Sequence, residues 1–169
     1  MAGIAQETSV AICPQDKYLT ALPEYQKFAG KVDSNGNAYA SFKVRGLGGV
    51  NGTPLTLTSE ESLLKLEKDP LAGMSVTHHE FAHTVMNVGF SPNDHQRWRA
   101  IWSEARKKET WADSAQGKWC MKNTDEYWAV MTTSYFGRNW KELNTSGLVK
   151  ERDRAAWDMI KSVYGPVNS

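Results

Sequence analysis

The stretch Ser75-Val76-Thr77-His78-His79-Glu80-Phe81-Ala82-His83-Thr84-Val85-Met86-Asn87-Val88-Gly89 decides how the rest of the chain is read. Val76, Phe81, Val85, Met86 and Val88 supply apolar positions around a polar triplet. That pattern predicts a helix from about Ser75 to Val88, with Gly89 as its stop. Within it His79-Glu80-Phe81-Ala82-His83 is an H-E-x-x-H motif. Residues four apart on a helix share one face, so His79 and His83 can present two imidazole nitrogens to one Zn²⁺. Glu80 then stands beside the ion without ligating it, where a carboxylate can act as general base toward water. The bland alternative is a buried helix with two unrelated histidines. With only four His in 169 residues, that coincidence is rare. His78 is turned about 100° from His79, so a structural or supporting role is expected for it.

Two histidines do not complete a catalytic zinc site, which usually has three protein ligands. A metzincin would need Gly at position 86 and His at 89; Met86 and Gly89 stand there. His95 lies beyond a Pro-containing turn and reads as a surface or capping residue. A carboxylate from a later helix is the remaining source, and Glu104, Glu109, Asp113, Asp125 and Glu126 compete. Glu104 and Glu109 sit among Arg and Lys, as solvated residues do. Glu126 opens a helix among bulky apolar residues, where a carboxylate is costly unless something pairs with it. That argument favours Glu126. Asp125, one residue earlier, points elsewhere and suits a cap.

Composition bounds the rest. The length suits one domain, residues 1–169, and 40% hydrophobic with 23% charged residues is ordinary for a globular chain. A net charge of +1 gives no basic excess for a phosphate backbone, so no nucleic-acid partner is expected. No apolar run approaches the roughly 20 residues that span a bilayer, so no membrane partner is expected either. A monomer is expected. Most of the seven Trp are read as core. No signal peptide is visible. Cys13 and Cys120 allow one disulfide or two buried thiols. The sequons Asn51-Gly52-Thr53 and Asn144-Thr145-Ser146 lean toward a secreted protein.

Upstream of the motif, residues 1–17 lack a period and are read as wrapping the surface. Residues 18–25 read as a short anchored segment with a helical turn, and Asp33–Asn37 as a turn. Tyr39, Phe42 and Val44 suggest an extended segment. Gly46-Leu47-Gly48-Gly49-Val50 lacks the G-K-[ST] of a phosphate loop. It is either a flexible turn or an edge segment whose bare backbone lies along an extended substrate peptide. Pro54–Leu57 is a strand candidate. Thr58 and Glu61 fit a capping box before a short helix. Downstream, helices are expected over 96–110, 125–135 and 147–164, with a polar connection over 111–122. The expected fold class is α+β, mostly helical, with a small sheet or edge strand beside the motif helix.

His79-Glu80-Phe81-Ala82-His83-Thr84, followed by Asn123-x-x-Glu126-Tyr127-Trp128-Ala129, resembles the anthrax lethal factor-like zinc peptidases, with the small secreted Pro-Pro endopeptidases. The resemblance is specific at these two segments and looser over about residues 40–165. It implies a zincin-like domain of gluzincin type, one zinc ion held by His79, His83 and Glu126, and Glu80 as base. In that family a tyrosine seven residues before the glutamate ligand stabilises the oxyanion; Trp119 stands there. A second family carboxylate, after the Tyr-Trp-Ala pattern, is Val130 here. Tyr127 and Tyr135 are the candidate replacements for the missing phenol. The resemblance leaves two functions: a zinc endopeptidase acting on a peptide or protein substrate, or a zinc-binding domain that no longer cleaves and serves as an interaction module or toxin component.

Overall fold

A computed structural model describes residues 8–33, 35–67, 69, 71–140, 143 and 146–166, without the side chains of residues 51 and 146. It is a mixed α+β fold, mostly helical with one three-stranded sheet. The strands are β1 (Ser9–Cys13), β2 (Leu47–Gly48) and β3 (Leu55–Ser59), in the order β1-β3-β2. β1 runs parallel to β3 and β2 antiparallel to it, with Leu47 opposite Leu57 and Gly48 opposite Thr56. The helices are α1 (Glu60–Leu64), α2 (Val76–Gly89), α3 (Pro92–Lys107), α4 (Ala115–Cys120), α5 (Thr124–Tyr135), α6 (Ser146–Arg152) and α7 (Arg154–Tyr164). Among the described residues no helix is long and apolar enough to cross a membrane.

The motif helix α2 lies between two apolar clusters. On one side Ala82, Val85 and Met86 join Trp98, Trp128, Met131, Val149 and Ile160 in a helical core. On the other side the sheet covers a smaller cluster of Cys13, Leu19, Tyr25, Phe28, Val44 and Leu57. The sheet meets α2 through small residues. Thr56 and Thr58 of β3 bond Thr84 and Thr77 of α2 through their hydroxyls, at 2.7 and 2.8 Å. Gly46 and Gly48, two apart and so on one face of the strand, also turn toward α2, while Leu47 packs into the sheet cluster.

Several expectations change. Ser9–Cys13 is a strand rather than surface wrapping; residues 1–7 lie outside the described set. Its alternation is hidden because Val10 and Ile12, opposite Thr56 and Thr58 on the face that meets α2 but out on the edge strand, are apolar and exposed. The segment from Tyr39 to Val44 is irregular, and Tyr39 and Val44 are held singly by the sheet cluster. Ser59, not Thr58, precedes α1, and Glu61 turns from any capping role to Arg45. The segment 111–122 contains α4. The closing helix breaks at Asp153, which caps α7 through Ala156 N (3.0 Å) and accepts the Tyr127 hydroxyl. Other expectations hold. Leu19–Ala21 is a 3-10 turn, and Asp33 accepts from Asn35 N and Asn37 N at 2.8 Å each. α3 begins earlier than expected, on a Ser91–Asp94 capping box. The thiols are free and buried, Cys13 in the sheet cluster and Cys120 in the helical core. Ser34, within the Asp33–Asn37 turn, and Asn144 and Thr145 of the second sequon lie outside the described residues.

Candidate metal centre

Two helices bring the candidate ligands together. Ser75 caps α2 and starts the turn that carries His79 and His83 on one face. Asn123 caps α5, its Oδ1 accepting from Asp125 N (3.0 Å) and Glu126 N (2.8 Å), so Glu126 leaves from the third helical position. Trp128, fully buried two residues on, donates its indole N–H to Ala82 O at 2.8 Å. That bond fixes the height of α5 against the motif turn, and hence where Glu126 meets the histidines.

The three side chains converge. His79 Nε2 lies 3.2 Å from His83 Nε2 and 3.2 Å from Glu126 Oε2; His83 Nε2 to Glu126 Oε2 is 3.9 Å. Ligand atoms about 2.0–2.1 Å from a tetrahedral zinc ion are about 3.3 Å apart, so this triangle has the right size. The donor set is one that zinc uses. The protein leaves it unsatisfied: Glu126 Oε2 is buried with no hydrogen-bond partner, its approach to His79 lacking hydrogen-bond alignment. Buried polar atoms normally find partners; here the two Nε2 atoms have each other at 3.2 Å and the carboxylate oxygen has none, an arrangement a cation would complete. Among the described residues no other group of His, Cys, Asp or Glu has this arrangement.

Burial governs the electrostatics. Loss of water, with His79 adjacent, holds His83 down at about 3, so it keeps its lone pair at neutral pH. Burial also works against protonation of His79, but the Glu126 contact and the Glu80 and Glu126 charges outweigh it and raise the group. The same partners hold Glu126 below its ordinary value against the effect of burial. Glu80 is pushed up to about 7, chiefly by burial, with Glu126 adding to the rise and His79 opposing it. A general base works best near the operating pH.

These residues form the floor of a cleft of about 770 Å³. One wall is Gly46, Leu47, Gly48 and Val50; the other includes Trp119, Trp140, Leu71 and Met74. Trp119, on α4, has its ring 5.8 Å from that of His79 and 5.8 Å from that of Trp140. Trp140, Leu71 and Met74 join the site through the fold alone; nothing local in the sequence marks them. β2 is an edge strand, as one of the two readings of 46–50 required. The glycines' bare faces, however, are turned to α2 rather than to the cleft.

Other candidates fall away. Tyr127 does not line the cleft: it is fully buried, donates to Asp153 and accepts from Trp111 Nε1 at 3.2 Å. Its place one residue after Glu126, about 100° around the helix, carried that information. Tyr135 donates to Gly165 O at 2.6 Å, toward the end of α7. Val130 is core. His95 packs against Phe90; Glu104 pairs with Lys108 and Asp113 with Arg152, all away from the centre. Asp125 sits exposed on the cleft rim, and His78 bonds Ser75 Oγ through Nδ1 at 2.8 Å. Comparison with protein-family models, curated proteins and solved structures finds no match to this chain, so its own residues and geometry are the ground for a function.

Proposed function

We propose that the chain is a zincin-like, zinc-dependent endopeptidase, with one zinc ion held by His79, His83 and Glu126. The observation that carries this reading is the convergence of three buried donor atoms at 3.2, 3.2 and 3.9 Å beside a carboxylate that does not join them. Zinc in such a site supplies Lewis acidity toward a peptide carbonyl and toward water. Glu80, from its place on the cleft floor, accepts a proton from the attacking water and returns it to the leaving amine. An extended peptide lies along the free edge of β2, between residues 46–50 and the Trp119–Trp140 wall. Trp119 offers an indole N–H in place of the family phenol. The substrate is a peptide or protein, with no nucleic-acid or membrane partner, and the protein acts as a secreted monomer.

The second reading, a zinc-binding domain without cleavage, draws on one observation: the hydroxyls of Tyr127 and Tyr135 are both committed away from the cleft. A peptide pool incubated with zinc-loaded protein separates the two. The expected result is cleavage by the wild type and, in Glu80→Gln, full zinc stoichiometry with a loss of about 10²–10⁴-fold in rate. Stoichiometric zinc without cleavage by the wild type selects the second reading. Absence of zinc binding removes both.

A further inference from the structure

β2 and the residue before it cross α2 with no side chain of their own turned to the helix. A Cβ placed on Gly46 would stand 2.5 Å from Glu80 Oε1, 2.7 Å from Glu80 Cγ and 2.7 Å from Val76 Cγ1. At Gly48 it would stand 1.8 Å from Glu80 O, and at Gly49 2.7 Å from Thr84 Cα. Atoms do not approach a Cβ closer than about 3.0 Å without something shifting. The collisions differ in kind. At Gly48 and Gly49 the obstacle is helix backbone, so a side chain there would lift the strand off α2. At Gly46 two of the three atoms belong to the Glu80 side chain, which can rotate while the helix stays in place. Gly46 also has no positive φ, unlike Gly49 at +62°, so its requirement is for space alone.

Among the described residues no donor bonds the Glu80 carboxylate. Its place is set by packing, and Gly46 and Val76 form the near surface. We propose that Gly46 is a positioning residue for Glu80: the space its missing side chain leaves is where the carboxylate is held within reach of the cleft floor. This rests on Glu80 being the base. It also assigns the glycines of the Gly46-Leu47-Gly48-Gly49 stretch a role toward the helix rather than toward substrate. Gly46 sets the base, and Gly48 and Gly49 set how closely the edge strand lies over it.

The test is Gly46→Ala in the zinc-loaded full chain, with Gly48→Ala as the contrasting variant. For Gly46→Ala the expected result is unchanged zinc stoichiometry and cooperative unfolding. On the best peptide kcat falls about ten- to a hundredfold, with KM within about threefold of wild type. Substituting Co²⁺ for zinc gives a readout independent of turnover, because its visible bands respond to what hydrogen-bonds at the open coordination position. These bands shift in Gly46→Ala. Gly48→Ala is expected to lose stability and metal together. In the Gly46→Ala background, Glu80→Asp costs less than it does in the wild type, because the shorter side chain clears the added methyl. A Gly46→Ala protein with wild-type kcat and an unshifted Co²⁺ spectrum overturns the proposal. So does one that loses metal and folding as Gly48→Ala does. If the wild type cleaves nothing, the endopeptidase reading has failed by itself, and the Co²⁺ spectra alone decide whether Gly46 positions Glu80.

Discussion

Two buried ionic clusters lie on either side of β2, and they solve the burial of charge in opposite ways. The Arg45–Glu61 pair is closed. Arg45 Nε donates to Glu61 Oε1 at 2.5 Å and Nη2 to Oε2 at 2.8 Å, and the guanidinium also reaches Lys17 O (2.7 Å) and Pro14 O (3.2 Å). Donors and acceptors match, and both side chains are nearly inaccessible. The His79–His83–Glu126 cluster is open: Glu126 Oε2 and His79 Nδ1 are buried with no hydrogen-bond partner, and the cleft lies against the cluster. A matched buried pair ties the fold together. Here it holds the chain entering β2 against the end of β1 and against α1. Unmatched buried polar atoms cost stability, and a cation at the cluster would offset that cost. What separates the two clusters is whether their polar atoms are matched, since both are buried.

The largest expected effect breaks the closed cluster. Arg45→Met strands Glu61 in the interior and is expected to cost about 3–5 kcal/mol in urea unfolding, with or without zinc. Acid sharpens this. With Arg45 present, Glu61 is held below its ordinary value against the opposing effect of burial. Its stabilisation is therefore present above the unfolded carboxyl range, about 4.3, and is lost as pH falls through the lower folded value. Once both proteins carry a protonated Glu61, the missing cation matters less. The deficit of Arg45→Met should narrow as pH is lowered from 7 to below 4. A deficit that stays constant or widens would show that lost packing, not the stranded charge, dominates.

The open cluster should behave differently. Zinc at a hundredfold excess over its dissociation constant should stabilise the wild type by about 2.7 kcal/mol, and Glu126→Gln should lose that response. In metal-free protein the same substitution removes the contact with His79 that holds the Glu126 carboxyl below its ordinary value, so a loss of stability well short of that of Arg45→Met is expected. A metal-free Glu126→Gln protein destabilised as severely as Arg45→Met would mean that the two clusters are equivalent, and the contrast would fail.

The two clusters are not equally legible in the sequence. His79, Glu80 and His83 declare themselves because one helical turn carries all three, and local spacing is what a sequence displays. Glu126 is reachable because a carboxylate among Tyr127, Trp128 and Ala129 needs a partner to justify its burial. Arg45 and Glu61 are invisible as a pair: they stand sixteen positions apart in the chain, across turn and strand, and each reads locally as a surface charge. Local pattern makes Glu61 half of a capping box, and only the fold turns it to Arg45. The glycines stand where the sequence suggests but face the other way. Strand alternation puts Gly46 and Gly48 on one face without saying which element covers that face. α4 is hidden because it is short and holds Gly117, which sits against Trp111 O where no Cβ would fit. The Trp140 wall of the cleft comes from a distant segment, and only tertiary packing brings it there.

The smallest effect lies at the junction of local structure and site. Asn123 Oδ1 satisfies the N–H of Glu126 itself, so the cap and the proposed ligand share one peptide unit. Asn123→Ala should cost about 1 kcal/mol of metal-free stability, the usual loss on removing a cap. It should also weaken zinc binding about ten- to a hundredfold, because the first turn of α5 frays at the residue that must be held still. Asn123→Asp restores the capping oxygen and should recover most of both losses. Chelator competition measures the affinity, and urea unfolding without metal measures the cap. Removing the cap of α2 provides the control. Ser75 also caps a helix that carries proposed ligands, but four residues before His79 and in a helix pinned by Trp128, Thr84 and the sheet. Ser75→Ala should therefore cost similar stability and leave zinc affinity nearly unchanged. Equal losses of affinity from the two caps would mean that the third ligand is no more loosely held than the first two, and that the cage is rigid throughout.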